Sequence, residues 1–189
     1  MRSALLIREL ASFFPDRRSH ASYELARGWA LCFEDEDLVR AQDALDAVAA
    51  SRLPVRERPL LLSGLAWCEA RLGSAALGLD MSERAVRQAR LVGDKALRGV
   101  LAVHGALLLR SGRGQEAIAA LRESLERATA TPHVATALAA FHLGEALYKA
   151  GDLEGAKTAW ERCAASPPSR YTLMARERLD SMILAAPYR

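Results

Sequence analysis

The sequence predicts an all-α fold, a solenoid made by stacking antiparallel helix hairpins, with about ten helices in one domain spanning 1–189. Three observations predict it. Of 189 residues, 51% are hydrophobic but only 6% aromatic. Ala and Leu dominate; both are strong helix formers, and β-branched residues are sparse. Apolar residues also recur at helical spacing on either side of Gly turns. In 137–168, Leu143, Gly144, Leu147 and Tyr148 lead to AlaGlyAsp at 150–152, and Ala156 and Trp160 resume the pattern. Finally, the small residues Gly78, Ala117 and Ala156 stand at one constant interval along the chain. A fixed period of this size, about 39 residues, marks a repeat architecture.

Taken in order, residues 2–14 predict a helix with a wide apolar face of Leu5, Leu6, Ile7, Leu10, Phe13 and Phe14, ended by Pro15. That face is more than one neighbour covers, which motivates a homodimer through the N-terminal helix. The competing arrangement packs it on 21–48 and seals the solenoid. Residues 21–51 read as a degenerate hairpin: a helix from Ala21 to about Phe33, the acids Glu34, Asp35, Glu36 and Asp37, then a helix with Val39, Ala41, Leu45 and Val48. The acids are expected to cap N–H groups where the second helix starts. They lack the Gly and terminal Glu of an EF-hand. With Ala41 as the small residue of the second helix, Trp29 falls where the first helix wants a small one, so the register is open by one residue.

From Pro59 the register is clear. Hairpin 59–94 carries Leu62, Leu65 and Ala66, turns at Leu72 and Gly73, and continues past Gly78 along a second helix lengthened through 82–94. Hairpin 98–131 repeats it with Leu101, His104, Gly105 and Leu108, a turn at Gly112, then Ala117, Leu121 and Ser124. Hairpin 137–168 ends at Pro167 and Pro168. A last helix, 170–184, has an apolar stripe of Tyr171, Met174, Ala175, Leu179 and Met182. Arg176, Glu177 and Asp180 are turned away, which suits a helix that closes a solenoid.

Hairpin 137–168 resembles a tetratricopeptide repeat (TPR). Ala140, Leu143, Gly144 and Leu147 stand at the motif positions of the first helix, and Ala156, Trp160 and Cys163 at those of the second. The usual TPR period is about 34 residues, so each unit here carries about five more, expected in the second helix and the connection. Similar long-pitch TPRs occur in bacterial signalling and regulatory proteins. The resemblance implies a right-handed superhelix, a capping helix at 170–184 and a concave groove lined by first helices. The family's groove positions fall on Ser63, Trp67, Ala70 and Arg71, on Ala102, Ala106, Leu109 and Arg110, and on Phe141, Glu145, Tyr148 and Lys149. Arg71, Arg110 and Lys149 form a basic ladder beside Trp67, Phe141 and Tyr148, which fits an acidic peptide or protein segment. A basic residue there also suits the last turn of a helix for local reasons. The chaperone-binding carboxylate clamp needs Lys and Asn where this chain has residues such as Ser63 and Trp67.

Other chemistry finds no support. Cys32, Cys68 and Cys163 are an odd count without CxxC and read as buried reduced thiols, not a disulfide framework or a zinc site. No HExxH occurs, and SerGlyArgGlyGln at 111–115 lacks P-loop spacing and its Lys. His104 reads as a packing residue. Catalytic residues, metal sites and cofactors are therefore expected to be none. Only three of 26 basic residues are Lys, and the net charge is +3. Abundant Arg then reflects a GC-rich bacterial genome more than nucleic-acid binding, and Arg84, Arg87 and Arg90 read as a solvated face. The longest apolar run, Val100–Leu109, is half a membrane span, and charges at Arg8 and Glu9 break the N-terminal apolar run of a signal peptide. The expectation is a cytoplasmic, non-enzymatic adaptor. The alternative is a peptide- or ligand-sensing regulatory module of a signalling or secretion system, the TPR-type secretion chaperones included.

Overall fold

A computed structural model describes residues 20–35, 37–49, 53–127 and 134–184. The helix expected at 2–14, with its dimer contact, lies outside them. Among the described residues there are nine α-helices and no strand. They are α1 (His20–Ala30), α2 (Leu38–Ala49), α3 (Arg58–Leu72), α4 (Ala75–Val92), α5 (Asp94–Arg110), α6 (Gly114–Glu126), α7 (Val134–Lys149), α8 (Leu153–Ala164) and α9 (Arg170–Leu184). The pairs α1–α2, α3–α4, α5–α6 and α7–α8 are hairpins, and α9 packs on α7 and α8. First helices also pack on one another, α3 on α5 and α5 on α7, so they form a layer of their own. The core runs without a break from Leu25 to Ala175.

Local chemistry sets the helix ends. Ser74 and Asp152 cap α4 and α8 by accepting from Leu77 N–H at 3.3 Å and Gly155 N–H at 2.9 Å. Gly112 and Gly151, one repeat apart, take left-handed φ of 81° and 85°, which costs little without a Cβ. The N–H of the next residue then bonds back to Leu108 O at 3.0 Å and to Leu147 O at 2.9 Å, giving both first helices the same C-terminal turn. Two expected boundaries move. Gly93, at φ 115°, joins α4 to α5 alone, so α5 begins at Asp94 and not near 98. Asp94 places a carboxylate in that first turn, where the helix dipole favours it. Likewise α7 begins at Val134, ahead of Ala137. The added length of the unit is visible in α4, 18 residues against 13 in α6 and 12 in α8.

The first hairpin resolves its one-residue ambiguity. In the later hairpins Ala66, Gly105 and Gly144 precede Gly78, Ala117 and Ala156 by one constant offset. A Cβ on Gly105 would meet Leu121 at 2.5 Å and Ala117 O at 3.3 Å; one on Gly28 would meet Leu45 at 2.6 Å and Ala41 O at 3.7 Å. Gly28, not Trp29, is therefore the small residue, one position further from Ala41 than the offset of the other hairpins. The π-helical turn Leu31–Asp35 takes up the extra residue, because i→i+5 bonding holds one more per turn. Trp29 is left free to point elsewhere, and its Nε1–H donates to Leu60 O of α3 at 3.0 Å.

Candidate functional site

The twelve groove positions form four columns along α3, α5 and α7, each member one repeat from the next. The structure separates these columns by depth. Ser63, Ala102 and Phe141 are all buried, as are Trp67 and Ala106, with Trp67 and Phe141 each only 3% exposed. Glu145, which completes the second column, is half-buried and accepts from Arg178 Nε of α9 at 2.7 Å. Toward the hairpin turns the surface opens. Ala70 is half-buried and Leu109 buried, but Tyr148 is 52% exposed. Arg71 is half-buried with its guanidinium 5.7 Å from the centre of the Trp67 ring, while Arg110 and Lys149 are exposed. The open part of the predicted surface is therefore Tyr148, Arg110 and Lys149.

The buried columns have a physical cause. Ala102 and Ala106 of α5 are buried and carry only methyl groups, and side chains from α3 and α7 meet one another. Trp67 and His142 rings lie 6.3 Å apart edge to face. From this contact an aromatic chain extends both ways. Trp67 meets Phe33 at 5.2 Å, and Phe33 meets Trp29 at 5.0 Å. On the other side, His142 meets Phe141 at 5.3 Å and Tyr171 at 5.6 Å. The chain runs from the first hairpin to α9. Beside it, the Glu34 carboxylate accepts from the backbone N–H of Arg170 at 2.8 Å, a link across 136 residues. Glu34 was expected to cap the helix that follows it. Asp37 does that, accepting from Arg40 N–H at 3.2 Å, whereas Glu34 caps α9.

Positive charge converges on the same place. His142 titrates at about 3, first because burial penalises its charged form, then because Arg110, Arg170 and Lys149 repel a further positive charge. Two of these three belong to the ladder seen in the sequence; Arg170 comes from α9. His142 Nε2 and Trp67 Nε1 are buried without a hydrogen-bond partner among the described residues.

Elsewhere, Ser82 Oγ lies 2.8 Å from His104 Nδ1 and donates to Leu79 O at 2.7 Å. This satisfies the half-buried His104, whose pKa is lowered by burial. Of the α4 arginines, Arg84 and Arg87 are exposed, and Arg90 forms a two-pronged pair with Glu123 at 2.8 and 2.9 Å. Glu57 is a buried acid that periodicity did not single out; it accepts from Ser22 Oγ at 2.6 Å and ties α1 to the start of α3. Among the described residues no three His, Cys, Asp or Glu side chains group to hold a metal ion. None of the described helices is long and apolar enough to cross a membrane.

No family model matches this chain, and no curated protein is significantly similar to it in sequence. Solved structures do match in shape. Bacillus thuringiensis PlcR, in a complex with the peptide PapR7 and DNA, aligns with a TM-score of 0.60 at 14% identity, covering 100% of this chain and 69% of that one. MamA (AMB-1) aligns with a TM-score of 0.43 at 16% identity, covering 100% of this chain and 90% of that one. The fold is TPR-like. At such identities the likeness concerns the course of the backbone, and the site is this chain's own.

Proposed function

We propose that this protein is a non-enzymatic, cytoplasmic adaptor that binds an acidic peptide or protein segment on its concave side. The observation that carries the reading is that Arg110, Arg170 and Lys149 all act on His142 to lower its pKa, and that the exposed ring of Tyr148 adjoins Lys149 along α7. Three cations around one buried aromatic patch attract carboxylates and steer their approach. An aromatic ring beside them gives a bound segment something to pack on. That the PlcR structure of similar fold holds a peptide favours a peptide as the form of the partner.

A second reading, a peptide-sensing regulatory module, draws on a specific contact. Glu34 and the aromatic chain join the first hairpin to α9. A segment that reaches Trp67 and Phe141 has to part these ends, so its binding would change the shape of the solenoid.

One experiment addresses both. A displayed library of random peptides is panned on the purified protein, and the enriched peptides are measured by binding kinetics at two salt concentrations. Acidic peptides should be enriched, and Arg110→Glu with Lys149→Glu should slow their association and reduce its salt sensitivity. Enrichment of neutral or basic peptides, or binding indifferent to the double variant, would place recognition elsewhere. Glu34→Gln, which weakens the closing contact, should tighten binding under the second reading; unchanged affinity would leave the adaptor reading alone.

A further inference from the structure

Cys32 lies in the π-helical turn after α1 and Cys68 in the middle of α3. They are 36 residues apart in the chain and on different hairpins, yet their sulfurs are 3.5 Å apart. Both thiols are free and buried. The third cysteine differs. Cys163 Sγ donates to Ala137 O at 3.2 Å and Tyr171 O at 3.4 Å, in the packing of α7, α8 and α9. Sequence spacing held no hint of the pair, because a one-residue π insertion and a crossing between hairpins bring it together.

We propose that Cys32 and Cys68 are a redox modification site: a two-electron oxidant of the peroxide class converts them to a disulfide that staples the first hairpin to the second. A disulfide needs its sulfurs at about 2.05 Å, and this pair starts in van der Waals contact at 3.5 Å, so the two sulfurs have to close by about 1.5 Å. Either thiol can donate in the hydrogen bond between them; when Cys68 is the one that ionises, donation from Cys32 stabilises its thiolate and holds back ionisation of Cys32.

With hydrogen peroxide, the Cys68 thiolate attacks one oxygen, the O–O bond breaks, and hydroxide leaves and is protonated to water. Cys68 is then a sulfenic acid. The Cys32 sulfur attacks the Cys68 sulfur, the S–S bond forms, the S–O bond breaks, and the hydroxyl leaves as water with the Cys32 proton. Two thiols have been oxidised and one peroxide reduced to two waters. A thiol reductant reverses the step by exchange.

Burial sets the rate. Peroxide reaches Cys68 only when the first hairpin lifts from α3. A solenoid divides its stability among units and their interfaces, so one hairpin opens without unfolding the rest. Position gives the bridge a consequence. Cys32 precedes Phe33 and Glu34, the residues that reach Trp67 and α9, and the staple would hold the turn that carries them against α3.

The test uses the full chain, reduced, then exposed to hydrogen peroxide under native conditions. It is alkylated in denaturant and weighed. Reduced protein should take three alkyl groups, one per free cysteine. Oxidised protein should take one, have lost about 2 Da before alkylation, and yield a crosslinked peptide joining Cys32 to Cys68. Its thermal midpoint should rise. Cys163→Ala should oxidise as the wild type does, and Cys32→Ser should not lose the two hydrogens. Three alkylations after oxidation would overturn the proposal. So would a bridge that includes Cys163, or a gain of oxygen at Cys68 in place of the crosslink.

Discussion

Gly78→Ala is the sharpest test of the packing, because two principles oppose each other at that site. In a helix interior Ala is favoured over Gly by about 1 kcal/mol. Gly78, however, is where α4 lies on α3. A Cβ there would stand 2.6 Å from Ala66 O, 2.6 Å from Ala70 Cβ and 2.7 Å from Ala70 N. Real Cβ atoms do not approach that closely, and two of the three neighbours are backbone, so no side-chain rotation relieves the clash. The helices would have to move apart by about 0.8 Å to regain ordinary contact, losing dispersion along the interface. Overpacking costs about 1–3 kcal/mol, and a backbone clash belongs at the top of that range. After the propensity gain, the net loss should be about 2 kcal/mol. Gly114→Ala is the control. It sits at the start of α6 with nothing within 4 Å of its Cβ, so it should gain about 0.5 kcal/mol. Urea denaturation followed by far-UV circular dichroism reads both. If Gly78→Ala matched the wild type, or if both variants shifted together, the close approach of α3 and α4 would be refuted.

Two further outcomes follow from the buried Trp160 ring and from His142, half-buried with its Nε2 covered. Trp160 is 1% exposed, packed where Gly144 leaves room and 5.7 Å from the Tyr148 ring; Trp160→Ala should cost about 3–5 kcal/mol in the same denaturation assay, and a loss below about 1 kcal/mol would mean the ring is not a core group. His142 titrates at about 3 when folded against an ordinary value of 6.5. Below pH 6.5 the unfolded chain therefore takes up a proton that the folded one refuses. This penalty is absent above pH 6.5 and grows, by at most about 1.4 kcal/mol per pH unit, as pH falls toward 3. His142→Asn removes the group, so the stability gap between wild type and variant should shift toward the variant over that range; parallel curves would show that His142 is not held neutral.

The sequence carried the architecture because the repeat writes the same packing rule several times. Gly105 with Ala117 and Gly144 with Ala156 recur at a constant offset, and the turn glycines Gly112 and Gly151 recur with them. Where the rule is broken, reading failed in physical ways. One π-helical residue displaced the first hairpin, since hydrophobic spacing cannot tell Gly28 from Trp29 when the turn after them has no period of its own. The α4–α5 junction looked longer than it is, because a single left-handed Gly reverses the chain. At the site, spacing placed twelve residues in four columns but could not give their depth. Depth depends on contacts between units, such as Trp67 of α3 on His142 of α7, which no single repeat records. Glu34 on α9 and Cys32 on Cys68 are contacts between units, and no period records them.

The charges at the site follow two different rules. Arg71, Arg110 and Lys149 occupy the last turns of α3, α5 and α7, where the negative end of each helix dipole favours a cation. The repeat can therefore carry that ladder at little cost even with no ligand in place. Arg170 is the reverse case. It is the first residue of α9, at the positive end of a dipole, where a positive charge is unfavourable. The Glu34 carboxylate, accepting from the Arg170 N–H at 2.8 Å, supplies the opposite charge at that point. It couples the first hairpin to the last helix by the same chemistry that an acidic partner would bring. If the partner is acidic as proposed, its carboxylates and Glu34 would compete for one region of positive potential, which makes Glu34→Gln the substitution that separates a groove that is always open from one that its own chain holds shut.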